Sequence, residues 1–313
     1  MLARKAKAIS LEEVALMYYR THADGWGEDH RNQWINSLRN NIFPALGRLA
    51  PADIDSAAIL KVVEPLWQTK TVTASRVLNR LEAVFDYAAT SGFRPGGDNP
   101  ARGVRSALPK QSRIAKVRHH AAVPYIQVPA LMQQLVGRNT LSTAALRFLV
   151  FTVGRTDEVR LAMWAEIDLP QRLWTVPAAR MKSRRIHRVP LTAPAIEILR
   201  ALPRLDASDD SERIFPLGKP AMLHALKGCT DGAVTHGLRA SFRTWASERT
   251  NFPDKIVEAA LAHRVGDTKT QTTYERGDLL ERRQRLMKQW ADFVTAPAAT
   301  AAVVPLRKVT ADA

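Results

Sequence analysis

Two pairs of side chains have the types and spacing that suit a phosphate-binding site. His236 and Arg239 are three residues apart within Thr235-His-Gly-Leu-Arg-Ala-Ser-Phe-Arg-Thr-Trp245, so on a helix they share one face. Such a pair offers a near-neutral proton carrier and a fork for two phosphate oxygens. Arg155 follows an apolar segment, and Glu158, three residues further on, could orient its guanidinium. Taken alone, either pair could equally be solvated and without a function.

Lys182 and Tyr274 are two further residues whose types suit chemistry. Lys182 lies in Arg180-Met-Lys-Ser-Arg-Arg185, and a lysine on a mobile loop can deliver a proton, which its arginine neighbours cannot. A solvated basic turn is the ordinary alternative. Tyr274 is the only tyrosine after Tyr125. A lone tyrosine is commonly a packing residue, but its polar, threonine-rich surroundings do not suit a purely apolar role.

Mainly helical elements are expected to position these residues. Ser10-Leu-Glu-Glu13 is typical of a capping box that opens a first helix, and residues 77–88 carry an apolar stripe at helical spacing. The apolar run over 144–153 predicts a buried helix, and β-prone runs on either side of Lys182 predict a hairpin with a charged tip. Asp278-Leu-Leu-Glu281 predicts a capped terminal helix. Its apolar stripe consists of Leu279, Leu286, Met287, Trp290 and Phe293.

Loop residues and composition divide the chain into two domains. We predict a helical domain over 1–109, a basic linker over 110–122, a second domain over 123–295 and a disordered Ala/Pro/Val/Thr-rich tail over 296–313. The linker is either an ordinary solvated connection or a segment that follows DNA.

The overall charge favours a polyanionic partner. The chain of 313 residues has 46 Lys+Arg against 30 Asp+Glu, a net charge of +16. Cys229 is the only cysteine, so an internal disulfide and a cysteine-based metal cluster are excluded. There is no signal-peptide pattern and no run of the ~18–20 apolar residues that a membrane span needs, so we expect a cytoplasmic protein. Scattered carboxylates, the lack of a P-loop and the histidine spacing predict that neither a metal nor another cofactor is used.

Taken together, the motifs resemble the signature of the tyrosine site-specific recombinases, the phage integrase family, and most closely its prophage and genomic-island branch. Phrases such as Trp164-Ala-Glu-Ile-Asp168 and His236-Gly-Leu-Arg239 carry the likeness, and Phe43-Pro-Ala-Leu-Gly47 is similar to the core-binding domain of that branch. The resemblance covers about residues 10–294. The catalytic set that it implies is Arg155, Lys182, His236, Arg239, His263 and the nucleophile Tyr274, with Glu158 in support.

This resemblance implies a fold and a reaction. The expected fold is mainly α with a small β-hairpin or sheet: an α+β catalytic domain and a helical core-binding domain that clamp DNA between them. Tyr274 would attack the DNA backbone to form a 3′-phosphotyrosyl intermediate, so that neither ATP nor a metal is required. The two arginines would clamp the non-bridging oxygens and His263 would donate a hydrogen bond. His236 would exchange a proton with Tyr274, and Lys182 would protonate the departing 5′-oxygen.

The resemblance also implies partners. Double-stranded DNA attachment sites are expected to be bound by a homotetramer, in a bacterial cytoplasm at the nucleoid, with DNA-bending accessory proteins as possible helpers. We expect DNA contacts from Arg76, Arg80, Arg184, Arg185 and Arg243. For His187 we expect a structural role or a place beside the phosphate. The chain begins almost directly at the core-binding domain, so binding of arm-type sites is not expected; it is either a shorter member or has lost its start.

Two alternative functions, and some details of the reaction, stay open at this point. A catalytically silent, integrase-derived DNA-binding protein is disfavoured because every catalytic position is filled. Strand relaxation by a type IB topoisomerase is disfavoured by the core-binding domain and the integrase-like phrases. The attachment-site sequence, the preference for integration or excision, and docking of the terminal helix within its own subunit or on a neighbour are not fixed by the sequence.

Overall fold

The computed structural model describes residues 9–95, 97, 99–110, 121–204, 211–263 and 279–297. The chain divides into two compact units, Met1–Arg118 and His119–Ala313. As predicted, the described part is mainly helical with one small antiparallel sheet. Most of the predicted linker, the predicted nucleophile Tyr274 and the tail from residue 298 onward lie outside the described residues.

Amphipathic helices build the first unit around one core. They are α1 (Leu11–His22), α2 (Glu28–Asn41), α3 (Phe43–Leu46), α4 (Ser56–Thr69), α5 (Thr71–Thr90) and α6 (Val104–Ala107). The capping box predicted at Ser10 is confirmed, because its hydroxyl accepts from the Glu13 amide at 3.2 Å and the Glu13 carboxylate accepts from the Ser10 amide at 2.8 Å. The stripe predicted over 77–88 is the buried face of α5.

The second unit surrounds a larger core with helices and a three-stranded sheet. Its helices are α7 (Val128–Arg138), α8 (Leu141–Thr152), α9 (Thr156–Arg160), α10 (Ala193–Ala201), α11 (Ala221–Lys227), α12 (Gly237–Arg249), α13 (Asp254–Ala260) and α14 (Leu280–Thr295). Its strands are β1 (Ile167–Asp168), β2 (Leu173–Val176) and β3 (His187–Pro190). The buried helix predicted from the apolar run is α8, which contributes eight buried residues. The predicted hairpin is β2–β3, with Val176 opposite His187 at the end next to its connection.

Three of these helices are followed by a residue other than glycine in the left-handed conformation, the first being Asn139 after α7 with φ 39°. Val153 follows α8 with φ 47°, and Ala262 follows α13 with φ 49°. After α13 the His263 amide donates to the Glu258 carbonyl at 3.0 Å and the Ala262 amide donates to the Ala259 carbonyl at 3.1 Å, which is a Schellman motif. A side chain at positive φ is strained, most of all a β-branched one such as valine. Surrounding contacts must therefore hold the turns at Val153 and Ala262 in place.

The N-terminus of α12 packs against the segment that leads into the second unit. The Val234 amide donates to the Ala121 carbonyl at 3.1 Å. A Cβ added to Gly237, the first residue of α12, would lie 2.8 Å from the Ala122 Cα. Glycine is therefore required here by close backbone approach, and residues 121 and 122 are fixed directly beside the helix that carries Arg239.

The terminal helix α14 packs on its own chain, but it does not begin as predicted. It starts at Leu280, with Leu279 at its N-cap in a left-handed conformation and no side-chain cap from any described residue. The proposed capping box is therefore wrong in register, since Glu281 is the second helical residue rather than the third, and Asp278 lies outside the described residues. Trp290, which is 1% exposed, donates to the Val150 carbonyl of α8 at 2.8 Å. None of the helices within the described ranges is long and apolar enough to cross a membrane.

Truncation of Trp290 tests how much this packing contributes to stability. The substitution Trp290→Ala should lower the free energy of unfolding by about 3–5 kcal/mol, because it opens a cavity between α14 and α8 and removes a buried donor. Val136→Ala is the matched control, since Val136 is 53% exposed and its truncation should cost within about 0.5 kcal/mol. Urea unfolding followed by far-UV circular dichroism makes the measurement. Equal effects of the two substitutions would show that α14 is not an integral part of the core.

Candidate active site

Arg155 is fixed at the start of α9 by a carboxylate of the same helix. Its guanidinium Nη1 donates to Glu158 Oε1 at 2.6 Å, and its amide donates to the other carboxylate oxygen at 2.8 Å. Glu158 is 4% exposed, so this contact is sheltered from water. Arg180 donates in turn to the Glu158 carbonyl at 3.1 Å. The expectation that Glu158 orients Arg155 agrees with this geometry.

Arg239 lies in the first turn of α12 and is almost completely buried, with 5% exposure. Its two terminal nitrogens donate to the carbonyls of Val153 and Leu261, at the ends of α8 and α13. Burial in the first place, and then the charge of Arg155, lowers the pKa of Arg239 to about 10, so the group stays charged at neutral pH. Its buried Nε has no hydrogen-bond partner among the described residues. Arg239 therefore has one donor that the described part of the protein does not use.

His263 approaches Arg239 from the turn after α13. Its Nε2 lies 3.4 Å from Arg239 Nη2, and its Nδ1 lies 2.6 Å from Glu258 Oε2. The other oxygen of Glu258 accepts from Arg243 Nε at 2.8 Å. The structure thus brings together Arg155, Glu158, Arg239 and His263 of the predicted set.

His236 and Lys182 lie at the exposed margin of this group. His236 is the N-cap residue of α12 and is exposed, whereas Arg239 is buried, so the two do not simply share one open face as their spacing predicts. Their backbones are joined, because the Arg239 amide donates to the His236 carbonyl at 3.2 Å. Lys182 is exposed on the β2–β3 connection, and no hydrogen bond or ion pair links it to the other described candidates. Tyr274 lies outside the described residues.

The charged hairpin tip is shorter than the sequence suggests. Arg180 does not belong to it, because its guanidinium pairs with Glu166, whose same oxygen accepts from Trp174 Nε1 at 3.0 Å. Arg184 and Arg185 remain exposed on the connection, where Arg184 takes a left-handed conformation with φ 54°. The connection is therefore anchored at its base by an ion pair, and Lys182 is exposed beyond the buried Met181.

The residues predicted to bind DNA differ in their surroundings. Arg76 is exposed on α5. Arg80, on the same helix, donates to the Gln33 carbonyl at 2.9 Å and to the Ser37 hydroxyl, so it also holds α5 against α2. Arg243 is engaged by Glu258, although most of its side chain is exposed. These contacts leave Arg76, Arg184 and Arg185 as the most accessible cations of the predicted group.

His187 lies at the start of β3, within the electrostatic influence of several site residues. Burial, followed by the positive charge of Arg283, lowers its pKa to about 4; Arg239 and Arg155 act in the same direction. Arg283 belongs to α14, is buried, and donates to the Arg188 carbonyl at 2.6 Å. His187 is thus a neutral imidazole at physiological pH, and its role, structural or beside the phosphate, stays a prediction.

Sequence patterns do not mark Glu258, Arg283 or the Arg180–Glu166 pair as parts of this site. Glu258 precedes His263 by five residues, a spacing that places them together only when the chain reverses at the helix end. An acidic residue in the last turn before a short Leu-Ala-His segment was the available signal. In the sequence, Arg283 is a charged residue beside the apolar stripe of α14, and no sequence pattern indicates that its side chain is buried.

Both units match known domain families. Residues 11–107 match the phage integrase central domain and residues 124–277 match the phage integrase family. The chain is similar to the prophage integrase IntA of Escherichia coli (strain K12), with 31% identity over 307 residues that cover 94% of this chain and 72% of the relative.

Solved structures show the same fold at lower identity. A lambda integrase dimer bound to a COC′ core site has a TM-score of 0.63 and 17% identity, covering 82% of this chain and 96% of that one. A lambda integrase tetramer bound to a Holliday junction has a TM-score of 0.62 and 16% identity, covering 85% of this chain and 78% of that one. The fold and the matched domains define a tyrosine recombinase. More narrowly, this chain belongs to the phage integrase family, and its function is that of a site-specific recombinase.

Replacing His187 tests the electrostatics of the site through the pH dependence of stability. With a pKa of about 4 in the folded state against 6.5 for the free side chain, His187 binds more protons in the unfolded state between those values. The free energy of unfolding therefore falls as the pH falls through this window. In His187→Gln this loss should be smaller by an amount on the order of 2–3 kcal/mol. Urea unfolding at a series of pH values gives the difference, with the exposed His30→Gln as control; the same pH dependence in wild type and His187→Gln would contradict it.

Proposed function

We propose that this recombinase cuts and rejoins DNA through a 3′-phosphotyrosyl intermediate formed by Tyr274. The observation that carries the proposal is the buried guanidinium of Arg239 beside Arg155. The hydrogen bonds of this buried cation to described residues go to two carbonyls and an imidazole, with the Glu158 and Glu258 carboxylates nearby. Its burial is still costly, and an anion that accepts from its remaining donor offsets the cost. The scissile phosphate is the anion that the function of the family supplies.

The arrangement supports a division of roles around that phosphate. We assign the guanidinium groups of Arg239 and Arg155 to the non-bridging oxygens, where charge increases in the transition state. Since the Val153 and Leu261 carbonyls and the Glu158 carboxylate fix both guanidinium groups, little reorganisation is needed when DNA binds. His263 lies next to Arg239 through its Nε2 and is held by Glu258 through its Nδ1, so we assign it a further hydrogen bond to the phosphate.

Proton transfer is assigned to the two exposed residues. Tyrosine, with a reference pKa of about 10, needs a base when it attacks near neutral pH. His236 at the start of α12 is proposed for that exchange. Lys182 is proposed to protonate the 5′-oxygen as it leaves, and its exposed connection lets it approach bound DNA.

We propose that double-stranded attachment sites are the substrate and that the active form is a tetramer on DNA. The net charge of +16 supports a nucleic-acid partner. The related lambda integrase has been solved as a dimer on a core site and as a tetramer on a Holliday junction, which supports assembly of several copies.

Replacing the nucleophile gives the direct test. Tyr274→Phe should bind the attachment site with unchanged affinity, because only a hydroxyl is removed, and should form no covalent adduct. Candidate sites come from direct repeats in the DNA that flanks the gene. A nicked duplex that loses its 5′-hydroxyl strand after cleavage traps the adduct, which denaturing gel electrophoresis resolves. If the wild-type protein binds this duplex but never forms the adduct, the proposal is wrong.

The role of Lys182 is tested with a modified leaving group. Lys182→Ala should slow cleavage about 10²–10⁴-fold at saturating DNA, because the 5′-oxygen then departs without a proton donor. A substrate with sulfur in place of that bridging oxygen should restore the rate, since a thiolate with a reference pKa of about 8.5 leaves without protonation. The cleavage rate of Arg184→Ala, on the same connection, should not be increased by the substrate with sulfur at that position. Equal slowing of Lys182→Ala on both substrates would assign Lys182 to binding instead.

A further inference from the structure

Glu258 is a carboxylate shared by two cationic or ionisable side chains at the edge of the site. It lies in the last turn of α13, with one oxygen 2.6 Å from His263 Nδ1 and the other 2.8 Å from Arg243 Nε. Its side chain is 22% exposed, so its contacts are partly sheltered. The backbone adds a third link, because the His263 amide donates to the Glu258 carbonyl at 3.0 Å. His263 is thus fixed to Glu258 at both its amide and its ring.

The hydrogen bond decides which ring nitrogen of His263 carries a proton. An ionised carboxylate has no proton to give, so Nδ1 is the donor. In the neutral ring Nε2 then carries a lone pair and accepts from Arg239 Nη2, 3.4 Å away. To donate instead to a phosphate oxygen, His263 must gain a second proton and become an imidazolium. The charge of Glu258 compensates for that added positive charge beside two arginines.

We infer that Glu258 is a positioning residue of the recombination reaction: it fixes the orientation and tautomer of His263 and stabilises its doubly protonated form when the phosphate is bound. The inference rests on the proposed function for its effect on rate. Its statement about the tautomer concerns the DNA-free protein and stands on the contacts alone.

The Glu258 carboxylate can be paired with both Arg243 and His263, or with His263 alone. Its side chain is 62% exposed, so it can exchange Glu258 for a DNA phosphate at little cost. When Arg243 moves to DNA, Glu258 is left to His263 alone, at the moment when that ring needs a counter-charge. Arg243 should therefore contribute to DNA affinity, and Glu258 to the rate of the bound complex.

Nitrogen-15 NMR of the histidine rings in the full, DNA-free chain tests the tautomer. Wild-type His263, assigned by comparison with His263→Asn, should carry its proton on Nδ1. In Glu258→Ala a larger share of the rings should carry the proton on Nε2, the commoner site in a free imidazole, since only the long 3.4 Å contact with Arg239 Nη2 opposes it. A wild-type ring protonated on Nε2 would overturn the inference whether or not the protein cleaves DNA.

Single-turnover adduct formation on the nicked duplex tests the effect on rate. Glu258→Gln keeps an acceptor for Nδ1 but removes the charge, and it should slow adduct formation at saturating DNA about 10- to 100-fold with the dissociation constant changed less than about twofold. Arg243→Gln should show the reverse pattern, a weaker affinity with an unchanged saturated rate. Asp292→Asn breaks an exposed ion pair of α14 and is the matched control.

Two results would overturn the assignment. One is a wild-type saturated rate in Glu258→Gln and in Glu258→Ala, and the other is an equal loss of saturated rate in Arg243→Gln. Thermal unfolding of each variant checks that it folds. If the wild type itself forms no adduct, the proposed function fails, and the NMR measurement still decides the tautomer.

Discussion

A guanidinium group keeps its proton at neutral pH, so Arg239 carries a full positive charge into the core of the second unit. Two backbone carbonyls receive it, from Val153 after α8 and from Leu261 after α13. Both lie at turns where a residue other than glycine has positive φ. The two hydrogen bonds to these carbonyls offset part of the free-energy cost of burying the Arg239 guanidinium. They also hold two strained helix ends in place. The positions of Arg155, at the end of the α8 turn, and of His263, at the end of the α13 turn, follow from it.

Around this cation, carboxylates pair with several of the other cationic or ionisable side chains. Glu158 holds Arg155, Glu166 holds Arg180 at the base of the hairpin, and Glu258 holds His263 and Arg243. His187 is kept neutral by the surrounding arginines and by burial. These hydrogen-bond donors are thus oriented before a ligand binds. The electrostatic repulsion between the cationic side chains is offset when the protein folds, so it does not weaken the binding of a ligand.

The parts that could be predicted from the sequence are those set by local pattern. The capping box at Ser10, the stripe of α5, the hairpin and the Arg155–Glu158 pair all depend on residues a few positions apart. Arg239 donates to a carbonyl 86 positions away, and no local pattern reveals that contact. The Glu258–His263 contact depends on a left-handed alanine, which sequence patterns do not mark as a turn. The capping box predicted at the start of α14 is wrong, because an Asp-x-x-Glu spacing does not by itself determine where a helix begins. The catalytic roles came from the family resemblance rather than from spacing alone.

The two carbonyl contacts of Arg239 also restrict how this position can vary over evolutionary time. Lysine has a single terminal nitrogen and cannot reach two helix ends while leaving a further donor for a ligand. A substitution there releases the left-handed turns at Val153 and Ala262 together with the phosphate contact. Variants at this position would thus be removed first through lower abundance of folded protein, before any difference in catalysis could be selected. Natural variation at residue 239 would then record the demands of folding as much as those of chemistry.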